Sequence, residues 1–116
     1  MKHHSIVHFD LVAKDRDALA QFYQQLFGWQ YTHHEELKYT ILRTGGGLDG
    51  GIAGLSGQSS GQVFYISTDD IDAALRKVIE HGGTVTHPRE EVPGMGELAY
   101  FRDPTGNTVG FWRGEG

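Results

Sequence analysis

The chain of 116 residues contains no cysteine, which excludes disulfides, thiol nucleophiles and thiolate metal sites and gives no sign of an oxidising compartment. No apolar run approaches the ~20 residues that span a bilayer, and the opening Met1-Lys-His-His-Ser lacks the apolar core of a secretory leader. The cytoplasm is the expected address, and a membrane is not an expected partner. Basic residues are outnumbered, 10 Lys and Arg against 15 Asp and Glu, for a net charge of −5 with no Lys/Arg cluster. A nucleic-acid backbone would be repelled rather than held. With 38% hydrophobic residues, the chain suits one compact domain over 1–116 that buries roughly 65% of its unfolded surface. Such a modest core makes a homodimer a reasonable expectation.

What the chain does have is glycine, 17 residues, and a repeat. Ile6 to Asp15 alternates as a strand does. It runs into Arg16–Gly28, where Leu19, Phe22, Tyr23, Leu26 and Phe27 fall at the spacing of an amphipathic helix. The same design returns in Gly61–Thr68, Asp69-Asp70 and Ile71–Gly83, with Asp70 standing 55 positions after Asp15. Gly28 is placed to cap the first helix in the left-handed conformation, and Asp69-Asp70 to cap the start of the second. Strands are expected at Trp29–Thr32, Tyr39–Thr44, Ile52–Leu55, Thr84–His87, Glu97–Arg102 and Thr108–Trp112. Gly45–Gly51 reads as a corner, Ser56–Gly61 as a linker and Pro88–Gly96 as a loop. The order is βαβββ twice, in modules of about 5–56 and 61–113. The fold class is α+β.

Several of these residues carry a resemblance. The pattern Phe22-Tyr23-x-x-x-Phe27-Gly28-Trp29, the segments Asp69–Leu75 and Gly82–Val85, and the run Phe101-Arg-Asp-Pro-Thr-Gly-Asn107 resemble the vicinal oxygen chelate superfamily. That superfamily includes glyoxalase I, extradiol dioxygenases and bleomycin and fosfomycin resistance proteins. Positions 8–11, 46–51 and 93–96 are similar to a glyoxalase-like branch. The resemblance implies two tandem modules whose sheets curl into an eight-strand cup holding ligand and metal, commonly in a homodimer.

The resemblance also implies where a divalent metal would be held. The first-strand ligand lies fifteen residues before the tyrosine of the Phe-Tyr pair, which here is His8. The repeat offset carries that position to Val63. The Gly-Asn-x-x-Glu pattern of the last strand ends on Gly110, and the fourth position, within Ile52–Leu55, offers no donor side chain. Three of the four positions are empty, and one imidazole does not hold a first-row ion. No cofactor is therefore expected beyond an incomplete metal site at His8.

Alternation fixes what could line the cup without a metal, because successive strand side chains face opposite sides. If His8 points inward, so do Asp10 and Val12, and by the repeat Val63, Tyr65 and Ser67. Thr108 and Trp112 join from the last strand, with either Tyr100 and Arg102 or Ala99 and Phe101 from the strand before it. The candidate ligand-binding residues are His8, Asp10, Tyr65, Ser67, Tyr100 and Trp112, an aromatic surface with a few polar groups that suits a small organic molecule. The same aromatics would equally serve to fill the sheet, and His8 reads either as a ligand contact or as a histidine satisfied within the sheet. His8 with Asp10 is a candidate acid–base pair, although residues i and i+2 on a strand stand roughly 7 Å apart, too far for a direct hydrogen bond without bending.

Other signals are weaker. Gly45-x-Gly47-x-x-Gly50 lacks the following helix that a dinucleotide fingerprint needs. The pairs His3-His4 and His33-His34, Glu35-Glu36 and Glu90-Glu91 read as surface positions, and residues 92–96 as a lid or a plain connection. The reading these expectations support is a small-molecule-binding protein without a complete metal site, acting by binding or sequestration. A metal-dependent glyoxalase-type lyase or dioxygenase and a structural interaction module are the alternatives.

Overall fold

A computed structural model of the chain describes residues 4–54 and 60–115. The linker expected at 56–61 lies mostly outside the described residues. The elements are β1 (Ile6–Ala13), α1 (Arg16–Phe27), β2 (Gln30–His34), β3 (Tyr39–Arg43), β4 (Gly50–Ala53), β5 (Ser60–Ser67), α2 (Ile71–Glu80), β6 (Thr84–Val92), β7 (Gly96–Arg102) and β8 (Thr108–Gly114). The βαβββ order occurs twice, as the repeat predicts, with a short 3₁₀ turn at Glu35–Leu37 added between β2 and β3. Compactness divides the chain into one unit of His8–Val63 and another of Phe64–Gly116 joined by Met1–Val7. The chain's start therefore belongs with the second unit, where the Ser5 carbonyl accepts from Ser67 N at 2.9 Å.

In the first unit the strands lie in the order β2-β3-β4-β1, β1 running parallel to β4 and the rest antiparallel. Helix α1 starts where the Asp15 carboxylate accepts from Ala18 N at 3.0 Å, satisfying one of the orphan donors of the first turn. It ends at Gly28, whose φ of 76° is the left-handed cap that glycine adopts at no steric cost. Ala20, Leu42 and Ile52 are fully buried, with Phe9, Leu11, Ala13, Leu19, Trp29 and Tyr31 packed against them. On β1 that assigns the odd-numbered residues to the helix face. His8, Asp10 and Val12 take the other.

The second unit repeats the plan, with strand order β5-β8-β7-β6. Asp70 caps α2 by accepting from Ala73 N at 3.0 Å. Its core joins Ile71, Ala74 and Leu75 of the helix to Ala99, Phe101, Val109 and Phe111 of the sheet. Phe101 and Ala99 thus face the helix, which leaves Tyr100 and Arg102 on the opposite side.

Two segments differ from the sequence expectation. Strand β4 is Gly50–Ala53 rather than Ile52–Leu55, so the glycines expected at a corner lie inside the strand. The loop expected over Pro88–Gly96 is largely strand: β6 continues to Val92 through register shifts after Val85 and His87. Only Pro93–Met95 turns, closed by Met95 N donating to Val92 O at 3.0 Å. Among the described residues no helix is long and apolar enough to cross a membrane.

Candidate functional site

The first unit carries a polar centre on the face of β1 that looks away from α1. The phenol of Tyr39, from β3, donates to Asp10 Oδ1 at 2.6 Å. His8 Nε2 lies 2.6 Å from the same phenolic oxygen and 3.1 Å from Asp10 Oδ1. Three polar atoms thus meet in one triangle. Asp10 is 4% exposed, and its carboxylate needs donors there, because a buried charge without hydrogen bonds costs several kcal/mol. The single phenolic proton goes to Asp10. If His8 Nε2 carried no proton it would face two acceptors with nothing to accept, so this geometry requires the Nε2–H form, which donates toward Tyr39 Oη and Asp10. Tyr39 accepts from His8 and gives to Asp10, which polarises its O–H bond.

The direct His8–Asp10 contact corrects the sequence expectation. The backbone positions are indeed spaced as a strand dictates, but both side chains lean over the neighbouring strand toward Tyr39 and meet there. What makes room is a glycine. Gly51 on β4 pairs with Asp10 on one side and with Ile41 of β3 on the other, and a Cβ built on it would sit 1.8 Å from Tyr39 Oη. Its neighbour Gly50 serves the other face, where a Cβ would fall 2.5 Å from the Phe9 ring. The Gly50-Gly51 pair gives one bare position to each side of the sheet, as strand glycines do where another group approaches closely. Sequence reasoning missed Tyr39, and this glycine pair was the available signal.

The second unit repeats the device with other side chains. Gly110 on β8 pairs with Tyr65 of β5 and Tyr100 of β7, and the two phenols meet at 2.5 Å across it. A Cβ on Gly110 would lie 2.4 Å from the Tyr65 ring. Tyr65 is 3% exposed, while Ser67, Tyr100 and Trp112 are half-buried. The His87 ring meets Tyr100 edge-on with centroids 5.9 Å apart, and His87 Nε2 lies 2.6 Å from Glu90 Oε1.

These positions bear on the metal that the resemblance implies. Gly110, where the family pattern has a glutamate, is roofed by the Tyr65 ring. Ile52 is fully buried in the helix-side core, and Leu55 lies outside the described residues. His8 Nε2 is committed to Tyr39 and Asp10. Among the described residues no three His, Asp or Glu side chains gather as a metal site would require. Among the described residues, the family's ligand positions do not present a donor set that fits a divalent ion.

A second polar cluster lies on the helix side of the first unit. Arg16 donates to Thr40 Oγ1 at 3.3 Å and pairs with Glu35 through both terminal nitrogens. Thr40 Oγ1 is 2.6 Å from His33 Nδ1, and His33 Nε2 is 3.0 Å from Asp17. The protons are consistent along the chain Arg16, Thr40, His33, Asp17. His33, read from sequence as an incidental surface residue, ties β2 to β3 and α1, whereas His34 turns to Glu36.

A family model described as Glyoxalase/Bleomycin resistance protein/Dioxygenase superfamily matches residues 5–111. The chain belongs to this superfamily. Its curated relatives include the "Putative glyoxylase CFP32" of Mycobacterium tuberculosis, 31% identical over 120 residues that make up 90% of this chain and 43% of the relative. The anthracycline biosynthesis protein DnrV of Streptomyces peucetius is 32% identical over 124 residues, 90% of this chain and 45% of the relative. The chain thus spans less than half the length of these relatives. Among solved structures, a methylmalonyl-CoA epimerase aligns over 100% of this chain and 99% of its own, with a TM-score of 0.68 at 17% identity. The epimerase of Mycobacterium tuberculosis aligns over 96% and 88%, with a TM-score of 0.71 at 14% identity. At such identities the likeness concerns the fold.

Proposed function

We propose that this superfamily member binds a small, partly apolar organic molecule without a resident metal, and that His8, Asp10 and Tyr39 supply its polar recognition. The observation that carries this reading is the triangle of Nε2, Oδ1 and Oη around a buried carboxylate, built over a glycine kept bare for it. A carboxylate and a polarised phenol favour a ligand that brings a hydroxyl donor, because an incoming O–H adds a charge-assisted hydrogen bond where a second acceptor would be repelled. Within the second unit taken by itself, Tyr65, Ser67, Tyr100 and Trp112 are also proposed as ligand-binding residues, offering flat aromatic surface and hydroxyl groups of the kind that line small-molecule sites. The relationship to a protein named for anthracycline biosynthesis supports a planar, hydroxylated aromatic as the ligand class. Sequestration is the simplest activity of such a site.

The test uses the EDTA-dialysed chain and the probe 1,2-dihydroxyanthraquinone, followed by absorbance and tryptophan quenching. Saturable binding that weakens at least tenfold in Asp10→Asn is the expected result. Binding that appears only after nickel, zinc, iron or manganese is restored, or that ignores the Asp10 change, would overturn it. A second reading, acid–base catalysis by the same three residues, is favoured by the short contacts of Tyr39 to both partners, which make a proton path within hydrogen-bond reach. Chemical change of the bound probe class in the metal-free protein, abolished in Tyr39→Phe, would select it.

A further inference from the structure

We propose that His87, held by Glu90, is the proton acceptor for a hydroxyl-bearing aromatic molecule lying on the face of the second unit's sheet that looks away from α2. The proposal rests on the reading above that the chain binds such a molecule, and it adds the residue that ionises it. The pair owes its place to the two register shifts of β6. Val85 stands opposite Phe101, and both pack into the helix-side core. Strict alternation would send His87 to that same face and Glu90 to the other. Instead His87 stands opposite Tyr100, and Glu90 opposite Leu98. Directly opposed residues of an antiparallel pair point the same way, so both side chains share the face of Tyr100. The first shift alone would leave Glu90 on the helix side, and the second alone would leave both there. Only the two together gather the pair on this face, and re-aiming a side chain is what bulges do beside active sites. An exposed ion pair contributes ~1 kcal/mol or less, too little to account for two interruptions of the ladder.

The protons fix what the imidazole can do. His87 Nε2 lies 2.6 Å from Glu90 Oε1, and an ionised carboxylate only accepts, so the hydrogen sits on Nε2. In the neutral ring that leaves a lone pair on Nδ1, which has no partner among the described residues. The side chains of His87 and Glu90 are 45% and 58% exposed, open to an incoming molecule. Beside them the face is largely aromatic. One row across the strands reads Tyr65, Gly110, Tyr100, His87, and the next Ser67, Trp112, Leu98, Glu90. Gly110 leaves the first row bare at its middle, where the two phenols meet, and the His87 ring stands edge-on to Tyr100. A planar ring laid along these rows would carry a hydroxyl to the His87 edge. There the ligand's O–H bond breaks, an Nδ1–H bond forms, and the electron pair stays on the oxygen as a phenolate. Glu90 is the positioning residue, fixing the tautomer and facing the imidazolium that results. The other titratable or charged groups on this face are Tyr65, Tyr100 and Arg102, and Arg102 adds positive charge that favours the anion.

The absorption spectrum of 2-hydroxyanthraquinone reads the step directly, because its colour changes when the hydroxyl ionises. Bound to the EDTA-dialysed chain at neutral pH, where the free probe is mostly protonated, it should show the spectrum of its anion. His87→Gln should abolish that colour change and weaken binding about tenfold, the worth of one hydrogen bond to a charged group. Glu90→Gln should reduce the anion fraction, and the control His81→Gln, just past the end of α2, should leave the spectrum alone. In the unsubstituted protein, nitrogen-15 correlation spectra of the histidine rings should show His87 Nδ1 bare before the probe is added and protonated after it, which keeps the test valid if the variants fail to fold. A bound probe that stays protonated, an anion spectrum that survives in His87→Gln, or a His87 ring unchanged on binding would each overturn the proposal and leave the binding reading standing. No binding at all would remove both.

Discussion

Tyr39 Oη lies 2.6 Å from Asp10 Oδ1 across a strand whose intervening residue, Gly51, has no side chain to obstruct it. A methyl group there would occupy the phenol's position. Gly51→Ala is therefore expected to evict Tyr39, break its contacts with His8 and Asp10, and cost about 2 kcal/mol or more through overpacking and the strained carboxylate left behind. Urea unfolding measures the loss. A stability within ~0.5 kcal/mol of the parent would show that the phenol is not seated over the glycine.

Tyr39→Phe keeps the ring and removes only the hydroxyl. Asp10 and His8 then keep each other but lose their common partner, and the expected cost is about 1–2 kcal/mol, since a hydrogen bond to a charged group is worth more than a neutral one. The double variant Tyr39→Phe with Asp10→Asn should cost less than the sum of the two single changes, because both remove the same bond. Strict additivity in denaturant titrations would argue against the triangle.

The two helix caps offer a paired measurement. Asp15 and Asp70 each accept from a backbone amide three residues on, at 3.0 Å in both cases. Alanine at either position should destabilise by about 1 kcal/mol, and the effects should add, the sites sharing no partner. Thermal unfolding of the two single variants and the double variant checks this.

A pH dependence follows from the turn before β8. Asp103 accepts from the backbone and side chain of Thr105 and from the backbone and side chain of Asn107, at 2.9 to 3.1 Å. These bonds, those from Asn107 foremost, hold its carboxyl down to about 2 from an ordinary 3.8. The folded state is the one with the lower pKa, so the stabilisation is present above pH ~4 and is lost as pH falls toward 2. Asp103→Ala should lower the melting temperature at pH 7, and its deficit relative to the parent should shrink between pH 4 and pH 2. A deficit constant across that interval would contradict the assignment.

How much of this was legible in the sequence depends on how local the information is. The helices, their Asp caps and the Gly28 terminus follow from spacing and turn chemistry within a few residues, and the repeat followed because both halves spell the same local design. Strand β6 was misread because Pro88 and three charges within four residues look like loop, whereas at the edge of its unit's sheet such residues cost the ladder little. His8 and Asp10 were legible as neighbours on one face. Tyr39 was not, since its meeting with them depends on β4 lying between β3 and β1, a fact of topology with no local trace except two adjacent glycines.

The same edge strand has a consequence for how the protein fares at high concentration. An open row of backbone amides invites foreign strands to dock and seed fibrils. Along β6 the proline withholds one amide donor, the bulges after Val85 and His87 put the remaining ones out of step, and Arg89, tethered to Asp72 and Glu97, stands beside Glu90 and Glu91 as a charged fringe. A strand from a neighbouring molecule would meet a broken template there, and this margin is built to resist amyloid growth.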